Sequence, residues 1–170
     1  SDIAILTRGK KEGKQIAAYL LEQNIDVISA ESLLLLSSKE VCFLVDLIRY
    51  LSQRSNLGFQ VKILNYLADK FDTSLFEILQ AKPSNPLPEF LGEQNLALSY
   101  ASLSHYNLYE LCEHLMKQFG LDKQMDIYLQ FFLDRVHEYV SKNDHALPNF
   151  IEWWDKKAHK FTIVIPEGVN

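Results

Sequence analysis

Apolar positions along the chain change their period twice. Ile3, Ala4, Ile5 and Leu6 form a continuous apolar run, the pattern of a strand buried on both faces of a parallel sheet. Ile16, Ala17, Leu20 and Leu21 then recur at helical spacing, Asn24 suits a helix end, and Asp26 to Ser29 reads as a second short strand. Residues 3–29 therefore predict a β-α-β unit. After it the pattern is helical almost throughout. Ser37-Ser38-Lys39-Glu40 matches a capping box ahead of the stripe Val41, Leu44, Val45, Ile48 and Leu51. Phe59, Ile63, Tyr66, Leu67 and Phe71 mark another helix, and residues 73–81 a short one. Lys82 to Pro88 carries prolines at 83, 86 and 88 and predicts a loop, because proline has no N–H for a helix or a ladder.

Asn107 with Glu110 predicts a capped helix carrying Leu108, Leu111, Cys112, Leu115, Met116 and Phe119, ended by Gly120. Met125, Tyr128, Leu129, Phe132, Val136, Tyr139 and Val140 trace the longest helix, and Phe150, Ile151 and Trp154 the last. Phe161 to Ile165 is β-branched and strand-like, stopped by Pro166. The expected fold is mainly α with a small α/β portion: a β-α-β start, a helical insertion of about seven helices, and one returning C-terminal strand. The expected divisions are residues 1–36, 37–159 and 160–170.

The stretch TRGKKEGKQ, between the first apolar run and the first helical stripe, has the strand, glycine-lysine loop, helix order of a phosphate loop. Its spacing fails that test. A Walker A loop places four residues between its first Gly and the Gly-Lys pair, then a Ser or Thr for magnesium. Three residues separate Gly9 from Gly13, and Gln15 follows Lys14. Other constellations are weaker still. His105, Cys112 and His114 match no zinc spacing, and Glu110 with His114 shares a helical face without defining a site. His137, His145 and His159 fall among polar positions and are expected at the surface. Of Trp153 and Trp154, one ring is expected in the core and the other at a seam or partner surface.

Composition narrows the class. At 170 residues, 48% hydrophobic and 23% charged with a mean hydropathy of -0.09, the chain can bury a real core. A net charge of -5 argues against nucleic-acid binding through overall charge and leaves room only for a local basic edge. Cys42 and Cys112 lie far apart on apolar helical faces, which predicts buried free thiols and a cytoplasmic, reducing location. No apolar run reaches membrane-span length. The chain opens on Ser1, almost directly on the expected strand, and is expected to be a piece of a longer protein.

Two stretches together resemble one family. Residues 3–51, IAILTRGKKEGKQIAAYLLEQNIDVISAESLLLLSSKEVCFLVDLIRYL, look like the start of the second RecA-like domain of UvrD/RecB-type superfamily 1 DNA helicases. There a strand ends in an aromatic-Arg or similar pair, and a second strand and a Lys/Arg-Glu-Val/Ile helix lead into an inserted helical domain. Residues 133–170, with Phe150-Ile151-Glu152-Trp153-Trp154 before a strand, resemble the RecB/AddA-like helicase–exonuclease branch. In that branch the next motif is Thr-x-His-x-x-Lys-Gly. The residues between match only as a helical insertion.

The resemblance implies specific roles. Arg8 stands at the motif IV arginine, which in relatives reaches the terminal phosphate of ATP bound on the first RecA-like domain. Thr7 stands where many relatives carry an adenine-stacking Tyr, a ring it lacks, and Lys14 where some carry a second basic residue. ATP and Mg2+ would belong to the parent protein and be held mainly by its first RecA-like domain, with no cofactor or metal expected on this piece. Expected partners are DNA, the remaining helicase domains and a nuclease-complex subunit, with no membrane. The alternative is a helical protein-protein adaptor with no nucleotide or DNA role, docking through an aromatic patch around Trp153 and Trp154.

Overall fold

The computed structural model describes residues 3–9, 12, 13, 15, 16, 19, 20, 23, 25, 34–82, 84–98, 103–124 and 126–163. Among these, seven α-helices follow one another: α1 Lys39–Ser52, α2 Leu57–Lys70, α3 Leu75–Ala81, α4 Pro86–Glu93, α5 Leu108–Gln118, α6 Ile127–Val140 and α7 Leu147–Lys157. Three 3-10 turns, Leu35–Ser37, Asp122–Gln124 and Ala158–Lys160, join them. The mainly helical class is as expected, and α1, α2 and α6 share the greatest length, 14 residues.

Helix α1 is the hub. Its expected stripe is buried, but so are Phe43, Leu47 and Tyr50 around the rest of its circumference. A helix apolar nearly all round must be surrounded, and α1 packs against α2, α5, α6 and α7. Trp154, Phe132 and Phe150 close the core opposite it, each almost fully buried. Phe132 meets Trp154 edge to face at 5.2 Å, and Tyr139 meets Phe150 likewise at 5.3 Å.

Helix ends follow local chemistry. Asn107 and Glu110 form the expected capping box, each side chain accepting the other's backbone N–H at 3.0 Å. At α1 the expected box is displaced by one residue. Ser38 is the cap, its hydroxyl accepting from Val41 N at 3.2 Å and donating to Glu40 at 3.0 Å. Glu40 therefore sits one position too early to reach back to the cap N–H, and the box is one-sided. The expected loop over Lys82 to Pro88 is also corrected: α4 starts at Pro86. Pro86 and Pro88 fall in its first turn, where the N–H they lack has no intrahelical partner to lose. Helices α2, α4 and α5 end alike. Asp72, Asn95 and Gly120 take positive φ of 51, 55 and 64 degrees, and the N–H of the next residue donates five residues back.

The expected β elements are not shown. Ile3, Ile5 and Leu6 are 87, 53 and 97% exposed and pair with no strand among the described residues. An apolar run becomes a buried strand only when neighbours supply ladder bonds and cover both faces, and here they do not. The second expected strand, 26–29, lies outside the described residues. The returning strand is reduced to one antiparallel bridge, Thr162 to Leu34, with Leu35 N donating to Phe161 O at 2.9 Å; residues 164 and 165 lie outside the described residues.

Candidate functional site

The loop that resembles a nucleotide-side element is exposed. Thr7 and Arg8 both face solvent, Arg8 at a bend. The Thr7 hydroxyl donates to Gly9 O at 3.3 Å, and Gly13 N donates to Gly9 O at 3.2 Å. That second bond is helical in span, so Gly9 holds the capping position and Arg8 immediately precedes a helical turn. Residues 12, 13, 15, 16, 19 and 20 have helical backbone, and Ile25 N donates to Leu20 O at 3.0 Å, the wide bond that closes a helix. A methyl group on Gly13 would meet the Thr7 hydroxyl at 3.2 Å, which explains a small residue there. Lys14 lies outside the described residues. Of Arg8, Thr7 and Lys14, the structure therefore describes Thr7 and Arg8, neighbours in the chain and both exposed.

The second feature is a neck. Leu34 and Leu35 bring the chain into the helical body, and Phe161 to Ile163 take it out, joined by the bridge and the Leu35–Phe161 hydrogen bond. Both sides are anchored. Leu35 is 1% and Ile163 3% exposed, and Phe161 packs against Trp153 and Trp154 at 5.4 and 5.7 Å. The two tryptophans divide as expected, but they form no open patch. Trp154 is 1% exposed, and half-buried Trp153 is enclosed by Tyr139, Phe150 and Phe161. Sequence spacing could not have shown this, because it sets the angle between neighbouring side chains and not what lies opposite each.

Both cysteines are free, Cys112 buried and Cys42 half-buried. Burial pushes both thiols above their ordinary pKa, so neither is poised as a nucleophile. The polar network beside Cys42 joins helices. Arg49 donates to Asp46 at 2.8 Å and to Asp155 on α7 at 2.5 Å, and Lys62 on α2 stands 4.0 Å from Asp46. Burial disfavours the Arg49 charge, yet these two carboxylates raise its pKa and hold it charged. Every cation here is used by a carboxylate, so the network is a clamp between α1, α2 and α7. His137, His145 and His159 are exposed, as expected.

Two clefts complete the inventory. One, of about 330 Å³, lies where the C-terminal ends of α2, α4 and α5 meet and is lined by Lys70, Phe71, Gln94, Leu96, Gln118 and Lys123 among others. Lys70 donates across it to Phe119 O, satisfying a carbonyl that α5 leaves open. Lys70 there offsets the negative end of α5. The other, of about 350 Å³, lies between the starts of α1 and α6, where Ser38 and Asp126 already cap their own helices. Among the described residues no group of three His, Cys, Asp or Glu could hold a metal, and no helix is long and apolar enough to cross a membrane. No protein-family model, no curated protein and no solved structure matches the chain.

Proposed function

We propose that this chain is part of an ATP-dependent DNA helicase of the UvrD/RecB type, with the RecB/AddA-like helicase–exonucleases as the nearest branch. It would supply the start of the second RecA-like domain, a helical domain inserted into it, and the strand that returns. The observation that carries this reading is the neck. A helical body of more than one hundred residues begins at Leu34 and ends at Thr162, and those two residues bridge each other. A domain inserted into a host must leave and rejoin at neighbouring points, and adjacent termini are what make insertion tolerable. The exposed Ile3, Ile5 and Leu6 fit the same reading, as a strand whose covering sheet belongs to the rest of the host.

In that setting the β-α-β start and returning strand would form within the complete sheet. Arg8 would act from across a domain cleft, placing its guanidinium against the terminal phosphate of ATP held by the first domain. An exposed side chain just ahead of a helical turn can reach outward in this way, and a planar cation there offsets charge that develops on the phosphoryl oxygens. Hydrolysis of ATP in the parent protein would supply the energy of strand separation, with Mg2+ offsetting the phosphate charge. This chain's own contribution is limited to that one contact and to positioning DNA or partner surfaces through the insertion. The test is Arg8→Ala in the full-length protein. DNA-stimulated ATP hydrolysis is expected to fall about 10³-fold with folding intact. Turnover within a few-fold of normal removes Arg8 from the site.

A further inference from the structure

Two stretches of chain cross between the helical body and the rest of the protein, and each is tied down along its length. On the way in, Ser37 Oγ donates to Leu34 O at 2.6 Å, Ser37 N donates to the same carbonyl at 2.9 Å, and Ser38 N donates to Leu35 O at 3.2 Å. On the way out, Phe161 N donates to Ala158 O at 3.1 Å. The two stretches meet at the Leu34–Thr162 bridge and the Leu35–Phe161 hydrogen bond. A two-stranded pairing this short is marginal on its own, so side chains must supply the hold. Leu35, Ala158 and Ile163 are 1, 2 and 3% exposed. Phe161 lies against both tryptophans, with the Arg135 guanidinium over its ring at 5.9 Å.

A hinge is a few loop or element-end residues that change φ and ψ without breaking bonds or exposing apolar surface. Turning the backbone within residues 34–38 or 158–163 does one or the other. Neither stretch contains a glycine to ease such a turn. The two crossings also support each other. The 3-10 turn Leu35–Ser37 packs on α1, on α6 and on the turn Ala158–Lys160, so one crossing cannot shift without the other.

We infer that the neck is a rigid coupler: residues 34–38 and 158–163 turn with the helical body as one unit, and any swivel between body and host lies outside 34–163. This deepens the inserted-domain reading and rests on it, because it says how movement in the host reaches the insertion. A domain hung on a loose neck lets a push from the host dissipate as tumbling. One held at two seated crossings follows the push as a lever. In the proposed helicase, ATP-driven motion of the second RecA-like domain would therefore displace whatever the insertion touches.

The first test needs only the 170-residue chain. In native-state hydrogen exchange, the protection factor of the Leu35 amide should lie within about tenfold of that of Ile48 in α1, because the two open together. A Leu35 amide less protected than that overturns the inference. The second test uses the full-length protein with Leu34→Cys and Thr162→Cys. Cys42→Ser is added to remove the half-buried thiol that already reaches Leu36 O. Opposed residues of an antiparallel bridge stand about 4.5–5.5 Å apart at Cα, within disulfide range. Oxidation locks the neck and should leave DNA-stimulated ATP hydrolysis and strand separation both within about twofold. Strand separation lost on oxidation and regained on reduction means that the neck must open, and overturns the inference. Phe161→Ala should leave ATP hydrolysis within a few-fold while strand separation falls about tenfold, and the disulfide should rescue it. Equal loss of both without rescue marks a merely structural role and overturns the coupler. A full-length protein with no ATP-driven strand separation sinks the helicase reading, and the exchange measurement still decides the neck.

Discussion

Ile5 and Ile48 are the same side chain in opposite circumstances, 53% exposed in the opening run and 0% in α1. Both sit in apolar patterns that are equally clear in the sequence. Helices α2, α5, α6 and α7 pack against α1 and leave Ile48 fully buried, and burying such a side chain contributes about 1.5–3 kcal/mol. Around Ile5 no described element supplies either a ladder or a cover. The difference teaches that period reports which way side chains point, and that burial depends on what another part of the chain, or another domain, brings to that face.

The sharpest way to break the comparison is to remove a residue that closes the body. Trp154→Ala is expected to cost about 3–5 kcal/mol, read as a shifted denaturant midpoint with little change in slope. The Trp154 indole N–H is buried with no partner among the described residues, so Trp154→Phe, which deletes that donor, should cost much less. Next in size is the inter-helix clamp. Arg49→Ala leaves Asp46 buried without its closest cation and is expected to cost about 1–3 kcal/mol, measured by the same titration.

A smaller effect should appear in alkali. Burial pushes the Tyr66 phenol, stacked on Phe43 at 4.1 Å, from 10.0 up to about 12. A raised folded-state pKa gives stability that is complete below the unfolded value and is lost as pH rises through the folded one. The melting temperature should therefore decline from pH 10.0 toward about 12, and Tyr66→Phe should make that decline shallower. The smallest effect belongs to the other side of the comparison. Leu6→Ser, at a position 97% exposed, should change the stability of this chain by less than about 0.5 kcal/mol. In the complete helicase proposed above the same change should be clearly destabilising, and equal tolerance in both settings would mean that Leu6 has no covering sheet.

Legibility followed the range of the interaction. The capping box at Asn107, the Gly120 ending and the apolar stripe of α5 rest on contacts within a few residues, and each appears where the sequence puts it. The Ser38 cap was misread by one position because Ser37 and Ser38 are chemically equivalent as caps, and only the position of the first helical turn chooses between them. Helix α4 was missed altogether because proline is hostile inside a helix and harmless in its first turn, a distinction of position that composition does not carry. At the candidate site, Arg8 could be named from the resemblance, whereas the ion pair of Arg49 on α1 with Asp155 on α7 could not, since it joins residues on two helices.

By itself the sequence determined where six of the seven helices among the described residues lie, how several of them end, and which residues form their apolar stripes, because those depend on backbone geometry and neighbours a turn away. Only the tertiary structure decided that α1 is buried around most of its circumference, that Trp153 packs among Tyr139, Phe150 and Phe161, and that the body closes on a Leu34–Thr162 neck. The physical reason is that a helical period fixes an angle around one axis, while burial, pairing and charge clustering are set by which other surfaces arrive at that angle.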